Sequence, residues 1–400
     1  MDFSFTEDQE LFRKTIRDFA EKYIAPRADE IEEKKRIPED IINEMAKMGL
    51  LGLTISPDYG GMGADPILAT IATEEIARAD LSVATAVYYL LNAGWPVILE
   101  RHGTKEAKEE VLPKVAKGEY FFGIASTESG GGSDVANIKT TMVRKNGKLI
   151  VNGEKMYISG VREVLERGGG FVTPVKTDPS LGHRGITTIY FPLKGVKGIT
   201  PTYVEDMGRE GLSTGGFSIE DVEIPEHYII GEWNKGFYYV MEGFNYARIL
   251  VSAACIGAAE KVLEIGMEYI KQRTAFGRPI GKFEGIQFQL ADDYTKLEMM
   301  KFLVHRAAWM LKEHYEKNRF TVSELNKAIA MAKLYAPPTS VDIIRDVMIW
   351  HGAYGYTKEG KIERALRGVF SYAIGAEGAV NIMRIILGRE LLGKEFIPYK

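Results

Sequence analysis

The sequence predicts an α+β chain of 400 residues in three parts. These are an N-terminal all-α domain over residues 1–120, a middle β-barrel or sandwich domain over 121–235, and a C-terminal antiparallel four-helix bundle over 236–400. Three observations carry this. Apolar residues recur at helical spacing through the first third, short alternating runs broken by Asn-Gly pairs fill the middle, and long apolar-striped segments follow "GEWNKGF".

Taken in order, Thr6 with Gln9 three residues on is a capping box, and Phe12, Ile16, Phe19 and Tyr23 follow at helical spacing. "PDYGGMGAD" (Pro57 to Asp65) interrupts that pattern and "ILATIATEEIARAD" resumes it. Arg101 to Tyr120 reads as one charged helix ended by Pro113 and Gly118. From Phe121 the period changes: "TTMVRKNGKLIVNGEKMYISG" puts Asn146-Gly147 and Asn152-Gly153 between short runs, each a hairpin signal. Further strands are expected in "GGFVTPVKTD", "GITTIYFPL" and "GFSIEDVEIP". Segments 237–272, 283–317, 322–352 and 376–391, joined by short loops, describe the bundle. Pro337-Pro338 inside the third of them predicts a kink or a division into two helices, because an interior proline costs ~3 kcal/mol.

Composition bounds the function. A hydrophobic content of 45% supports a large core, and a formal charge of −4 argues against general affinity for nucleic acid or anionic membrane. The start "MDFSFTEDQELF" carries acids where a signal peptide carries positive charge, and no run reaches the ~18 apolar residues of a membrane span. A cytoplasmic protein without an integral membrane segment is expected. The lone cysteine, Cys255, lies in the apolar run "RILVSAACIGAAEKVL" and reads as packing. The six histidines show no metal-ligand spacing, so no metal is expected, and there is no Rossmann fingerprint, nucleophile elbow or P-loop.

The stretch "FFGIASTESGGGSD" (Phe121 to Asp134) is chemically suggestive on its own. Thr127 and Ser133 offer hydroxyls, while Gly130 to Gly132 remove side chains so that a bulky planar ligand can approach backbone N–H groups. A plain glycine-rich turn fits the same residues.

Four motifs together decide between them. "YFFGIASTESGGGSD", "KMYISG", "IKQRTAFGRPIGKFEGIQFQLAD" and "HGAYGYTKEGKIER" resemble, in order, signatures of the acyl-CoA dehydrogenase family, and the resemblance runs from about Phe5 to Leu392. It implies one FAD per chain. By it, Thr127 and its neighbouring backbone contact the flavin ring, and Ser133 lies where ring and thioester chain meet. Tyr157 and Ser159 replace the family's usual tryptophan and threonine, keeping an aromatic wall and a hydroxyl directed at flavin N5. Arg273 and Phe276 match residues that reach the FAD of a neighbouring subunit, which implies at least a dimer and, by the family's habit, a homotetramer. Taken alone, Arg273 reads as a solvated helix-end charge.

For the substrate, the resemblance points to Ser133, Tyr246, Arg248, Glu377 and Gly378. Arg248 in "NYARIL" matches an arginine near the thioester and CoA, but the family's aspartate three residues before it is Asn245 here. Glu284, Ile349 and Ala379 are further departures at the cofactor end. Family members carry the base either just before the bundle arginine, where this chain has Ala247, or in a late loop, where "SYAIGAEGAVNIMR" offers Glu377. Glu377 is therefore the expected catalytic base; without the resemblance it reads equally as an acid near a helix start.

The function implied is FAD-dependent α,β-dehydrogenation of an acyl-CoA to the 2-enoyl-CoA, with an electron-transfer flavoprotein as acceptor. The alternatives are an acyl-CoA oxidase using oxygen, disfavoured by length, and a DNA-binding flavoprotein of the same superfamily, disfavoured by the absence of an appended basic domain. "GVREVLERGGGF" (Gly160 to Phe171) departs from the usual flavin-side sequence and suggests bulky, branched or ring-bearing acyl groups, whereas Ala84 at the expected position of a carboxylate-binding arginine argues against a glutaryl group.

Overall fold

The computed structural model describes residues 4–398. The first and last residues of the outer domains as expected above fall outside that range. The first helix, Glu7–Tyr23, opens on the expected capping box: Thr6 Oγ1 accepts from the Gln9 amide at 3.2 Å, and the Gln9 side chain accepts from the Thr6 amide at 3.0 Å. The helix Pro66–Ala79, capped by Asp65, is buried along most of its length against the bundle. A Cβ at Gly257 of the first bundle helix would stand 2.2 Å from the Glu74 carbonyl oxygen, so only glycine permits that approach.

One expectation for this domain is corrected. Arg101 to Tyr120 is not one helix ended by Pro113. It is the end of Pro96–His102 followed by Lys105–Ala116, and Pro113 lies inside the second. The carbonyl that Pro113 leaves without a donor belongs to the exposed Glu109, where water can serve it. Gly118, at φ 72°, follows the helix end.

The middle domain is an eight-stranded sheet built from β1 (Phe121–Ile124), β2 (Thr141–Lys145), β3 (Lys148–Ser159), β4 (Gly169–Lys176), β5 (Ile186–Pro192), β6 (Ile199–Val204), β7 (Thr214–Ile224) and β8 (Ile229–Ile230). The order is β6-β7-β3-β2-β4-β5-β8, with β1 parallel to β4. Asn146-Gly147 turns the β2–β3 hairpin with both residues left-handed, as expected. Asn152-Gly153 is not a turn. It runs through β3, whose register with β7 slips between Val151 and Gly153. Gly153 holds φ 145°, and a Cβ there would meet Thr140 Cα at 2.6 Å. The glycine answers close packing rather than chain reversal. A short helix, Val161–Arg167, joins β3 to β4 where no helix was expected.

The bundle contributes Gly236–Gln272, Glu284–Lys317 and Val322–His351 as its first three helices. Its fourth position is shared by Glu363–Ile374 and Val380–Leu392, so the helix expected at 376–391 begins later and leaves 375–379 as a link. The third helix is continuous through Pro337-Pro338, so the expected division into two does not occur. Pro337 is buried in the core, and packing offsets the bonds lost at the carbonyls of Lys333 and Leu334. One apolar core runs through all three parts. Among the described residues no helix is long and apolar enough to cross a membrane.

Candidate active site

The glycine-rich stretch and the end of β3 form one wall. The Thr127 carbonyl accepts from the Met156 amide at 2.9 Å, which joins the 126–133 loop to the strand carrying Tyr157 and Ser159. Behind them Lys155, fully buried, donates to Glu128 Oε1 at 2.9 Å, the Pro174 carbonyl at 3.0 Å and the Ser126 carbonyl at 3.3 Å. Burial pushes this ammonium down to about 8, against the pull of Glu128. Glu128 is raised by burial but lowered more by Lys155 and by hydrogen bonds from Lys139 and Thr140, and settles below the ordinary glutamate range.

The face this wall presents is open. Cβ atoms at Gly130 and Gly131 would meet nothing within 4 Å, whereas one at Gly132 would press on Thr127 Oγ1 at 3.0 Å. Tyr157 is 61% exposed and held at φ 59°, a left-handed conformation costing a non-glycine residue about 1–3 kcal/mol. Ser126 Oγ is buried with no hydrogen-bond partner among the described residues, and Ser133 is exposed on the loop. An exposed aromatic ring, a run of open glycines and an unsatisfied hydroxyl fit a bulky planar group with polar edges.

The second wall is the link 375–379. Arg248, on the first bundle helix, is buried; its Nε donates to the Glu377 carbonyl at 2.9 Å and its Nη1 to Asn245 Oδ1 at 2.9 Å. Asn245 therefore keeps the acceptor that an aspartate would supply to Arg248. Its Nδ2 passes on to Asn326 Oδ1 at 3.0 Å, and Asn326 Nδ2 to Glu390 Oε1 at 3.0 Å. Gly378, at φ 102°, lies against Arg248: a Cβ there would be 3.5 Å from Nη2 and 3.1 Å from Met383 Cε.

Glu377 itself is left-handed at φ 57°, and its Oε2 is buried with no hydrogen-bond partner among the described residues. Burial pushes its carboxyl up to about 7, opposed by the charges of Arg248, Lys333 and Arg209. Lys333, on the third bundle helix, is fully buried, donates to the Tyr372 carbonyl at 2.6 Å and is brought down to about 8 by burial. A carboxylate held half-ionised near neutrality in a desolvated recess can take and return a proton.

Other expected residues lie apart. Tyr246 sits about 200° around the helix from Arg248 and is buried, its ring stacked on Tyr315 with centroids 6.5 Å apart. Ala247, where the alternative base would stand, is wholly buried. Arg273 closes the first bundle helix at the base of a two-strand ribbon, Thr274–Ala275 with Arg278–Pro279, whose tip carries the 95% exposed Phe276. Ile349 is 62% exposed. Cys255 is buried and its thiol pushed up to about 12 by burial, in keeping with packing. No cluster of metal-ligating side chains occurs among the described residues.

The residue the sequence reading passed over is Arg209. It is 9% exposed, left-handed at φ 53°, and donates from Nη1 to Ser159 Oγ at 3.1 Å. No motif or period marks "MGREGLS", so only the folded chain shows that this arginine reaches the site.

Comparison with known proteins places this architecture. The acyl-CoA dehydrogenase N-terminal, middle and C-terminal domain models match residues 6–119, 123–222 and 234–392. The chain is 37% identical over 393 residues to a 3-(aryl)acrylate reductase of Clostridium sporogenes, covering 97% of this chain and 99% of that one. It is 35% identical over 396 residues to the caffeyl-CoA reductase-Etf complex subunit CarC of Acetobacterium woodii, covering 98% and 100%. The solved structure of butyryl-CoA dehydrogenase from Megasphaera elsdenii superposes with a TM-score of 0.90 at 29% identity, covering 98% and 100%. With all three domains matched in order and the whole length shared with such relatives, the chain belongs to the acyl-CoA dehydrogenase family of FAD-dependent oxidoreductases acting on CH–CH bonds.

Proposed function

We propose that the chain interconverts an acyl-CoA and its 2-enoyl-CoA and exchanges the electrons with an electron-transfer flavoprotein. The observation that carries this is Glu377, whose buried Oε2 has no hydrogen-bond partner among the described residues and whose carboxyl, pushed up to about 7 by burial, suits a base that must both hold and release a proton near neutrality. In this reading Thr127, Tyr157 and Ser159 hold the flavin ring of FAD, and Ser133 stands where ring and thioester meet. Arg248, Gly378 and Tyr246 belong to the acyl-CoA side. Arg273 and Phe276, on their exposed ribbon, complete the FAD site of a neighbouring subunit in a homotetramer. The domains divide at 120/121 and 235/236, and the protein works in the cytoplasm.

Bound FAD supplies the acceptor for the hydride that leaves Cβ. Glu377 takes the Cα proton, and the electron pair of the broken Cα–H bond becomes the second bond between Cα and Cβ as the hydride departs with its own pair. Arg248, by holding the Glu377 carbonyl, fixes the angle at which the link presents the carboxylate. Run backwards, protonated Glu377 returns its proton to Cα of an enoyl thioester. The reductase names of two relatives, one of them a subunit of a complex with Etf, support that direction and that partner.

The test is anaerobic mixing of FAD-loaded protein with a panel of straight, branched, cyclic, aryl-bearing and dicarboxylic acyl-CoAs. Loss of flavin absorbance identifies the substrate, and Glu377→Gln slows it by at least about 100-fold while retaining FAD. Near-normal bleaching in that variant would place the base elsewhere. Peroxide formation in air at the rate of turnover would make the protein an oxidase.

A further inference from the structure

We propose that Arg209 is a positioning residue of the flavin-side wall, fixing the direction of the Ser159 hydroxyl from a clamped, buried seat. The inference rests on the reading above that Ser159 lies beside the flavin ring. A serine hydroxyl has one proton and two lone pairs, whereas a guanidinium can only donate. Because Arg209 Nη1 donates to Ser159 Oγ at 3.1 Å, the Ser159 proton must point away from Arg209. The adjacent Thr214 shows the same logic completed: its Oγ1 accepts from Arg209 Nη2 at 3.3 Å and donates its own proton to Asp206. Among the described residues Ser159 has no such protein acceptor beside it, so its proton is left for whatever occupies the open face next to Tyr157.

The placement of Arg209 is built in. A Cβ at Gly208 would collide with Arg367 Cβ at 2.6 Å, and one at Gly211 with Ile31 Cγ2 at 2.5 Å, so the segment is clamped between the N-terminal domain and the helix that leads to Glu377. Arg367 Nη1 also donates to the Met207 carbonyl at 3.0 Å. Left-handed backbone at a buried arginine is strain that packing maintains. Arg209 Nε is buried with no partner among the described residues, while Nη2 pairs with Asp206 at 3.6 Å.

The test uses FAD-loaded Arg209→Met, Arg209→Lys, Ser159→Ala and the Arg209→Met/Ser159→Ala double variant. The readout that a purely structural role would not move is the flavin midpoint potential. Arg209→Met should shift the potential to more negative values. Arg209→Lys keeps the charge but cannot bridge two hydroxyls, so it should restore only part of the potential. The effects of Arg209→Met and Ser159→Ala on the potential should be non-additive in the double variant. Additive effects, or a potential unmoved in variants that hold FAD normally, overturn the proposal. If Arg209→Met does not fold, Arg209→Lys decides, because an unchanged potential there removes the hydroxyl-directing role. Wild-type protein that is never bleached by any acyl-CoA would instead sink the functional reading itself.

Discussion

Replacing Glu377 by glutamine should make the protein more stable at alkaline pH while disabling it. Burial raises this carboxyl from 4.5 to about 7. Below about pH 4.5 the folded and unfolded chains both hold the proton, and ionisation adds nothing. Between 4.5 and about 7 the unfolded chain releases it while the folded chain retains it, so folding stability falls as pH rises. Above about 7 the full penalty is present, on the order of 3 kcal/mol at ~1.4 kcal/mol per unit. Glutamine removes the titration and with it the pH-dependent part, whatever constant offset its amide introduces. An unfolding entropy of about 2 cal/mol/K per residue makes ~3 kcal/mol worth roughly 4 °C in a chain of this length. Melting curves of FAD-loaded wild type and Glu377→Gln, at matched excess FAD, should therefore show a Tm gap that grows in favour of the variant from pH 5 to pH 8 and then levels. A gap independent of pH, or one that closes as pH rises, would refute the assignment of a desolvated, raised carboxyl to Glu377.

Three further outcomes are expected. Arg273→Ala should lower the FAD-to-protein ratio after gel filtration without changing the circular dichroism of the chain; a native monomer that keeps full FAD would remove the inter-subunit role. Gly153→Ala should lose at least about 2 kcal/mol, because it combines a left-handed φ of 145° with a 2.6 Å approach to Thr140; thermal melts within a degree of wild type would contradict this. Lys155→Met should cost about 3–5 kcal/mol by leaving Glu128 buried beside no cation, and adding Glu128→Gln should recover part of the loss in the same melts.

How far the sequence could be read depended on the range of the forces involved. The Thr6 capping box, the Asn146-Gly147 hairpin and the long striped helices are set by neighbours within a few residues, and each formed where the pattern placed it. Asn152-Gly153 carries the same dipeptide signal, yet its glycine is required by the approach of Thr140, a contact that local turn chemistry does not encode. Pro113 reads as a stop, and Pro337-Pro338 as a kink or a division, because local propensity counts the lost hydrogen bond and the clash but not the packing that offsets them. The helix Val161–Arg167 is too short to show a period. Within the site, Glu377 and Arg248 were reachable through motif resemblance, and the structure brings them together through the 2.9 Å bond to the Glu377 carbonyl. Tyr246, two residues from Arg248 in "NYARIL", shares the motif but not the helix face. Arg209 stands fifty residues beyond Ser159, and their contact is created only when the 206–214 segment is pressed back against the end of β3.

The hydrogen bonds around Arg248 close into a ring. From Arg248 one path reaches the carbonyl of Glu377 and enters the final helix, Val380–Leu392. The other runs through Asn245 and Asn326 to Glu390, near the far end of that same helix. The last helix is thus a clasp whose two ends fasten to one arginine. A stop or a proteolytic cut before residue 390 would open it, freeing both the side-chain acceptor chain and the strained link that presents the carboxylate. A chain cut there keeps the core residues of all three domains and still loses the geometry of its chemistry.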